Sequence, residues 1–314
     1  LRDDERHPLQ NRAVQSTYPP GSVWKLLMAG AGFNTGMLKP TDRAFCPGGY
    51  RLGTRVFRCW RKQGHGTVDL LNALIHSCDV YFYQLGERLG PDRIHDFAVK
   101  AGFGKPTGID LPHEKGGLAP SREWKYRRFG EKWTAGETLN MSIGQGYTLA
   151  TPVQVARFIA ALVNGGTLFK PALVQTDPPE AVGQLPLEDK YRELILQAMA
   201  ATVERGTAKR MQIPGVLLGG KTGTAHKLEG GVYAKKYIAS FVGIAPISDP
   251  RLVVAVMIDE PSAGKYFGGL IAGPVFSGVM GGALRTLGVP QDSPIQMAQQ
   301  GGAAAKVPAG KEKL

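Results

Sequence analysis

The stretch YPPGSVWKLLMAG, residues 18–30, sets Ser22 three positions before Lys25 at the start of an apolar, helix-like run. On a helix, positions i and i+3 share a face, with Cβ atoms about 5–6 Å apart. At a first helical turn the unpaired N–H groups and the helix dipole favour negative charge. That position suits a developing alkoxide or a nearby oxyanion. A lysine buried near other cations has a lowered pKa and, once neutral, can take the serine proton. Ser-x-x-Lys is therefore a nucleophile that carries its own base. The same spacing also arises by chance, as an N-cap serine followed by a snorkelling lysine. Two further short motifs add chemistry. Ser77-Cys78-Asp79 falls at a break between two helical patterns, 55 residues after Ser22, and Lys221-Thr222-Gly223-Thr224 follows a further 144 residues on, in a strand-like run.

The elements that must position these groups can be read coarsely. Helical patterns cover about 23–31, 68–76, 79–89, 187–204 and 274–287. Residues 151–166, TPVQVARFIAALVNGG, carry a full set of helix signals: Thr151 as N-cap, Pro152 at the first position and Gly165 as the stop. Three β-rich runs, GVLLGGKTGTA, KKYIASFVGIAP and RLVVAVMIDEP, are divided by turn residues and predict an antiparallel meander. Residues 42–67 read as one long loop rich in Gly, Arg and Cys, of a length that points to function or to something that pins it. The stretch from about 90 to 150 reads as turn-rich, and the tail from about 298 as disordered. There is no internal repeat.

The chain has 314 residues, of which 43% are hydrophobic and 20% charged, so a sizeable core is accessible to one large domain or two small ones. Its net charge of +12 fits attraction to an anionic polymer or a membrane surface. The basic residues are scattered and no RNA- or DNA-binding signature is present, which argues against nucleic acid as a partner. No apolar run approaches the ~20 residues of a membrane helix, and no signal peptide opens the chain. Any anchor is expected upstream of Leu1.

Ser-x-x-Lys, a Ser-x-Asp motif and Lys-Thr-Gly-Thr, in that order, form the motif set of serine penicillin-recognising enzymes. The chain resembles the transpeptidase domain of class B penicillin-binding proteins. The likeness is carried by NRAVQSTYPPGS, SCDVYFYQLG, GFGKPTGIDLP, PSREWK, SIGQGYTLATPVQVA and GGKTGTA. Up to about residue 225 it is similar to penicillin-binding protein 2, the elongation type. From about 226 it is more similar to the division type, penicillin-binding protein 3. The family's second motif usually ends in Asn where this chain has Asp79, and its first sheet strands and non-catalytic pedestal normally precede the Ser22 region.

The resemblance implies an α+β fold of the penicillin-binding protein/β-lactamase kind: an antiparallel sheet flanked by helices, plus a mostly helical subdomain at roughly 40–185, within a transpeptidase domain spanning 1–297 and a tail at 298–314. It implies a peptidoglycan D,D-transpeptidase. Ser22 would attack the stem peptide, Lys25 would act as base, and Ser77 would relay the proton. Lys221, Thr222 and Thr224 would recognise the terminal carboxylate, with Gly223 letting substrate lie close to the strand edge. Asp79 keeps two readings, a helix N-cap or a group orienting Ser77 or Lys25. Alternatives on the same fold are a division-type transpeptidase, a D,D-carboxypeptidase or β-lactamase, and a β-lactam sensor. The implied partners are peptidoglycan stem peptides, β-lactams and a membrane glycan polymerase of the elongation or division machinery, at the periplasmic face of the bacterial inner membrane. No organic cofactor is implied.

Cys46, Cys59, His65 and Cys78 are the remaining reactive set, separated by twelve, five and twelve residues. Three thiols and one imidazole suit a closed, structural zinc site. Elongation-type relatives that hold zinc in this region support that reading. The competing reading is one disulfide with a spare thiol, or three unrelated buried cysteines.

Overall fold

The structure is a computed structural model, and it describes residues 4, 7–175, 178–229, 232–262 and 264–292. The disorder expected of the tail from 298 lies outside the described residues. After a one-turn helix α1 (Arg12–Gln15), Pro19-Pro20 lead into a 3-10 turn, Gly21–Val23, and then α2 (Trp24–Asn34). Every residue of α2 from Trp24 to Phe33 is buried. A helix apolar all round belongs at the centre of a core, and α2 therefore carries Lys25 into a dry interior.

Residues 42–67, expected as a loop without structure, instead hold strands β1 (Arg43–Cys46), β2 (Gly49–Leu52) and β3 (Arg55–Arg58), and the chain enters β4 (Gly66–Asp69) at their end. β1 pairs with β4 and β2 with β3, both antiparallel. Four-residue strands are too short for alternation to declare itself, and the arginines on their solvent face mask what there is. Helix α3 (Leu70–Ile75) starts at Asp69, whose carboxylate accepts from the Asn72 N–H. Helix α4 (Asp79–Lys100) is longer than expected because it resumes after Gly90, which takes φ 70 just before Pro91.

Two helices fill the stretch that reads as turn-rich, α5 (Arg122–Phe129) and α6 (Ala135–Ser142). Each has only eight residues and lacks a clear apolar stripe, yet Ser121 caps α5, and Thr134 with Glu137 forms a capping box on α6. Helix α7 (Pro152–Val163) begins as its signals predict, with a Thr151–Gln154 capping box. A short hairpin, β5 (Thr167–Phe169) and β6 (Ala181–Gln184), precedes α8 (Asp189–Arg205).

The expected meander is present: β7 (Gly219–Glu229), β8 (Val232–Ala245) and β9 (Leu252–Asp259) form an antiparallel sheet in that order. Helix α9 (Gly268–Thr286) follows, starting before Pro274 rather than at it. The period-2 alternation of strands splits the core in two. Val242, Ile244, Val253, Ala255 and Met257 face the helical body, while Phe241, Val254, Val256 and Ile258 face α9 through Phe276 and Met280. No helix of the described residues is long and apolar enough to cross a membrane.

Candidate active site

Three elements converge on the Ser22 turn. Gly21 has φ 56, and a Cβ there would lie 3.0 Å from the Thr224 carbonyl oxygen, so the turn sits directly against β7. The Gly21 N–H donates to the Gly144 carbonyl at 2.9 Å, tying the turn to the end of α6. Ser22 is half-buried there. It lies in the 3-10 turn just ahead of α2, one step short of the expected first α-helical turn.

Lys25 is fully buried, and its Nζ meets three acceptors: Ser77 O at 2.9 Å, Ser77 Oγ at 3.2 Å and Asp79 Oδ1 at 2.6 Å. These acceptors match the three protons an ammonium can donate. Ser77 lies within the α3–α4 break, in the left-handed region at φ 54, a conformation L side chains rarely adopt. Its hydroxyl is held between two amines, Lys25 Nζ and, at 3.0 Å, Lys221 Nζ. Lys221 is also fully buried; burial, and then the Lys25 charge, push its pKa well below the ordinary lysine value.

Asp79 is not the N-cap of α4. Cys78 holds that position without a side-chain bond, and Asp79 is the first helical residue. Its carboxylate instead pairs with Lys25 through Oδ1 and accepts from the Trp60 backbone N–H at 2.9 Å through Oδ2. Burial raises its pKa, with Lys25 opposing.

Along β7, Lys221 faces Ser77, while the alternate residues Thr222 and Thr224 face the start of α9. The Thr222 and Thr207 hydroxyls are 2.8 Å apart, and the Thr224 hydroxyl accepts from the Gly268 N–H at 3.0 Å. A Cβ on Gly223 would fall 2.3 Å from Ser240 Oγ and 3.1 Å from the Pro20 carbonyl oxygen. The contact of β7 with β8 and the Ser22 turn therefore leaves little room for a side chain at this position.

The cysteine set also comes together. The ligand atoms of Cys46, Cys59, His65 and Cys78 all lie within 4.8 Å of one another, and the three cysteines are buried and free. His65 Nδ1 is 3.5 Å from Cys59 Sγ and 3.6 Å from Cys46 Sγ. The loops that present them cross at bare backbone: a Cβ on Gly64 would fall 2.1 Å from the Cys46 carbonyl oxygen. Cys78 donates to Cys59, and that bond, together with His65, drives the Cys59 pKa far down; the same bond and burial drive Cys78 up. Three cysteine sulfurs and an imidazole converging in a buried pocket are a donor set that fits zinc.

Sequence reasoning missed Trp60, Thr207, Gly144 and Gly268. Their contributions are backbone groups or long-range pairings, and no spacing in the sequence announces them.

The penicillin binding protein transpeptidase domain model matches residues 2–281. The chain is 35% identical over 302 residues to peptidoglycan D,D-transpeptidase MrdA of Acinetobacter baumannii, covering 88% of this chain and 44% of that protein. It therefore spans less than half of that relative's length. Among solved structures it is similar to Pseudomonas aeruginosa PBP2 in complex with WCK 5153, at TM-score 0.82 and 36% identity, over 95% of this chain and 67% of that one. It is also similar to PBP2 from Helicobacter pylori in a complex with MreC, at TM-score 0.80 and 29% identity, over 92% of this chain and 53% of that one. The meander with its flanking helices is the α+β penicillin-binding protein fold. The chain belongs to the penicillin-binding protein transpeptidase domain family, in its class B branch and on the elongation side.

Proposed function

We propose that this chain carries a serine D,D-transpeptidase that cross-links peptidoglycan stem peptides in cell elongation. The observation that carries the reading is the line of groups Lys25 Nζ–Ser77 Oγ–Lys221 Nζ, with steps of 3.2 and 3.0 Å, placed beside the Ser22 turn. Ser22 Oγ attacks the penultimate D-Ala carbonyl. Lys25 must first give up one of its three bonded protons. Ser77 Oγ offers the route, toward the Lys221 amine, whose pKa is held well below the ordinary value by burial and Lys25. Lys25 then takes the Ser22 proton, and Ser77 passes a proton to the departing D-Ala nitrogen. Backbone N–H groups of Ser22 and Thr224 form the oxyanion hole, a contribution of about 3 kcal/mol for each donor. Thr222, Thr224 and the charge that Lys221 gains with the Lys25 proton attract the terminal carboxylate. An amine of a second stem peptide resolves the acyl-enzyme and completes the cross-link.

The same reading gives Cys46, Cys59, His65 and Cys78 one structural zinc ion. Its chemistry is cross-linking of the strand pairs that frame α3 and α4: all four positions are filled by protein, so none remains for a reacting group. Cys78 lies between Ser77 and Asp79, and the Asp79 N–H donates to Cys59 Sγ at 3.4 Å, so the ligand set grips the second motif. The wider setting is the periplasmic face of the inner membrane, through an apolar segment of about 20 residues upstream. The partners are a glycan polymerase and, by analogy with the relative solved with it, MreC.

Penicillin treatment followed by intact mass and peptide mapping tests the reading. A persistent adduct on Ser22 supports it. An adduct on Ser77 or Ser142 overturns it, and rapid loss of the label shows a hydrolase instead. Elemental analysis tests the metal. One zinc per chain supports the site, and a mapped disulfide between any two of the cysteines overturns it. Removing zinc with a chelator is expected to lower Tm and slow acylation together.

A further inference from the structure

We propose that Trp60 is a positioning residue of this reaction: its indole N–H, bonded to the His76 and Ser77 carbonyls, holds Ser77 in the left-handed conformation that sets its hydroxyl between Lys25 and Lys221. The proposal rests on the serine acyl-enzyme reading above. The indole Nε1 donates to His76 O at 3.0 Å and to Ser77 O at 3.1 Å. Those carbonyls lie at the break between α3 and α4, where Ser77 takes φ 54. Such a conformation persists only where the surroundings over-determine it. The Ser77 carbonyl has two donors, the indole and Lys25 Nζ. Lys25 also serves Asp79 and the Ser77 hydroxyl, and in the reaction it must change its protonation. The indole N–H does not titrate, so it is the donor that stays in place while protons move.

Trp60 is itself fixed. Its backbone N–H donates to Asp79 Oδ2 at 2.9 Å, and the preceding Cys59 sulfur accepts from the Asp79 N–H. Its ring meets His65 edge-on at 5.6 Å. One residue thus holds positions 76, 77 and 79 with two N–H groups. The ring is 53% exposed, so filling the core does not account for a tryptophan here. Buried tryptophans repay their size by area, whereas this one is spent on its polar edge. Without the indole bond, the 77–78 peptide can relax out of the left-handed region. The Ser77 hydroxyl then swings away, and the relay from Lys25 to Lys221 opens.

Two variants of the 314-residue chain test this. Trp60→Phe keeps a ring and the backbone N–H. Replacing Trp60 by 3-benzothienylalanine keeps the full shape and deletes only the indole N–H. Acylation by a fluorescent penicillin is followed by stopped flow to separate the non-covalent dissociation constant from the acylation rate constant. Zinc content and Tm are measured in parallel. Loss of one hydrogen bond of this kind predicts a fall of about tenfold in the acylation rate constant, with the dissociation constant and zinc content unchanged. The isostere decides the matter should Trp60→Phe fail to fold. A labelled wild type with an isostere that acylates at the wild-type rate, or that loses only initial affinity, overturns the role of Trp60 alone. A wild-type chain that takes no label on Ser22 overturns the acyl-enzyme reading and this proposal with it.

Discussion

Lys125 and Lys221 are both lysines hidden from solvent, 3% and 0% exposed, yet their surroundings differ in kind. Lys125 Nζ meets Glu137 Oε1 at 2.6 Å, Glu131 Oε2 at 3.4 Å and the Lys132 carbonyl at 3.0 Å. Burial works against its charge, but Glu137 and then Glu131 outweigh it, and its pKa is raised. Among the described residues Lys221 has only the Ser77 hydroxyl and the Thr222 carbonyl as acceptors, and burial and Lys25 depress it. The first is a clasp between α5 and α6: Glu137 also accepts from the Thr134 N–H in the capping box of α6. The second is a site that keeps an amine ready to change its charge. Concealment alone does not set the charge of a lysine; what separates Lys221 from Lys125 is the shortage of compensating carboxylates.

Substitution by methionine at each position breaks this comparison most directly. In Lys221→Met the relay loses its end, and penicillin acylation is expected to fall by roughly 10²–10⁴. Stability should hold or rise, because a poorly compensated buried amine is replaced by apolar volume. Wild-type acylation in this variant would remove Lys221 from the mechanism. Lys125→Met should show the opposite pattern. Acylation per folded molecule stays at the wild-type rate, while stability falls by about 2 kcal/mol as Glu137 and the Lys132 carbonyl lose a charged donor. Urea unfolding beside penicillin labelling reads both. A drop in acylation for Lys125→Met beyond its loss of folded protein would show that α5 and α6 are coupled to the site.

The same contrast governs what could be read from the sequence. Ser22, Lys25, Ser77, Asp79 and Lys221 were legible because each sits in a short motif whose local element, helix start, helix break or strand, showed in the pattern. The meander showed because its strands are long and apolar. The four short strands of 43–69 and the helices α5 and α6 were not read, for a shared reason: short elements rich in charge reveal themselves by caps and partners, not by periodicity. The Thr134–Glu137 box was present to be read. The contact of Asp79 with Lys25 was one of its two readings, but the grip of Trp60 on Ser77 was beyond reach. It depends on how a helix break and a cysteine loop meet, 17 residues apart in the chain.

The smallest expected effect is on the pH dependence of stability, and its sign separates the two lysines. A lysine depressed in the folded state binds fewer protons there than in the unfolded chain, from its folded pKa up to about 10.4. Lys221 therefore makes stability rise with pH across that window, which opens well below 10.5. A lysine raised in the folded state does the reverse. Lys125 contributes stability that is fully present below about 10.4 and is lost as pH climbs through its raised value. Unfolding free energies across mildly alkaline pH should rise less steeply in Lys221→Met than in the wild type. In Lys125→Met the difference appears only at the alkaline end, as a smaller loss. Identical slopes for wild type and Lys221→Met would mean that Lys221 holds its proton in the folded chain, and the route by which Lys25 is freed to act as base would have to run elsewhere.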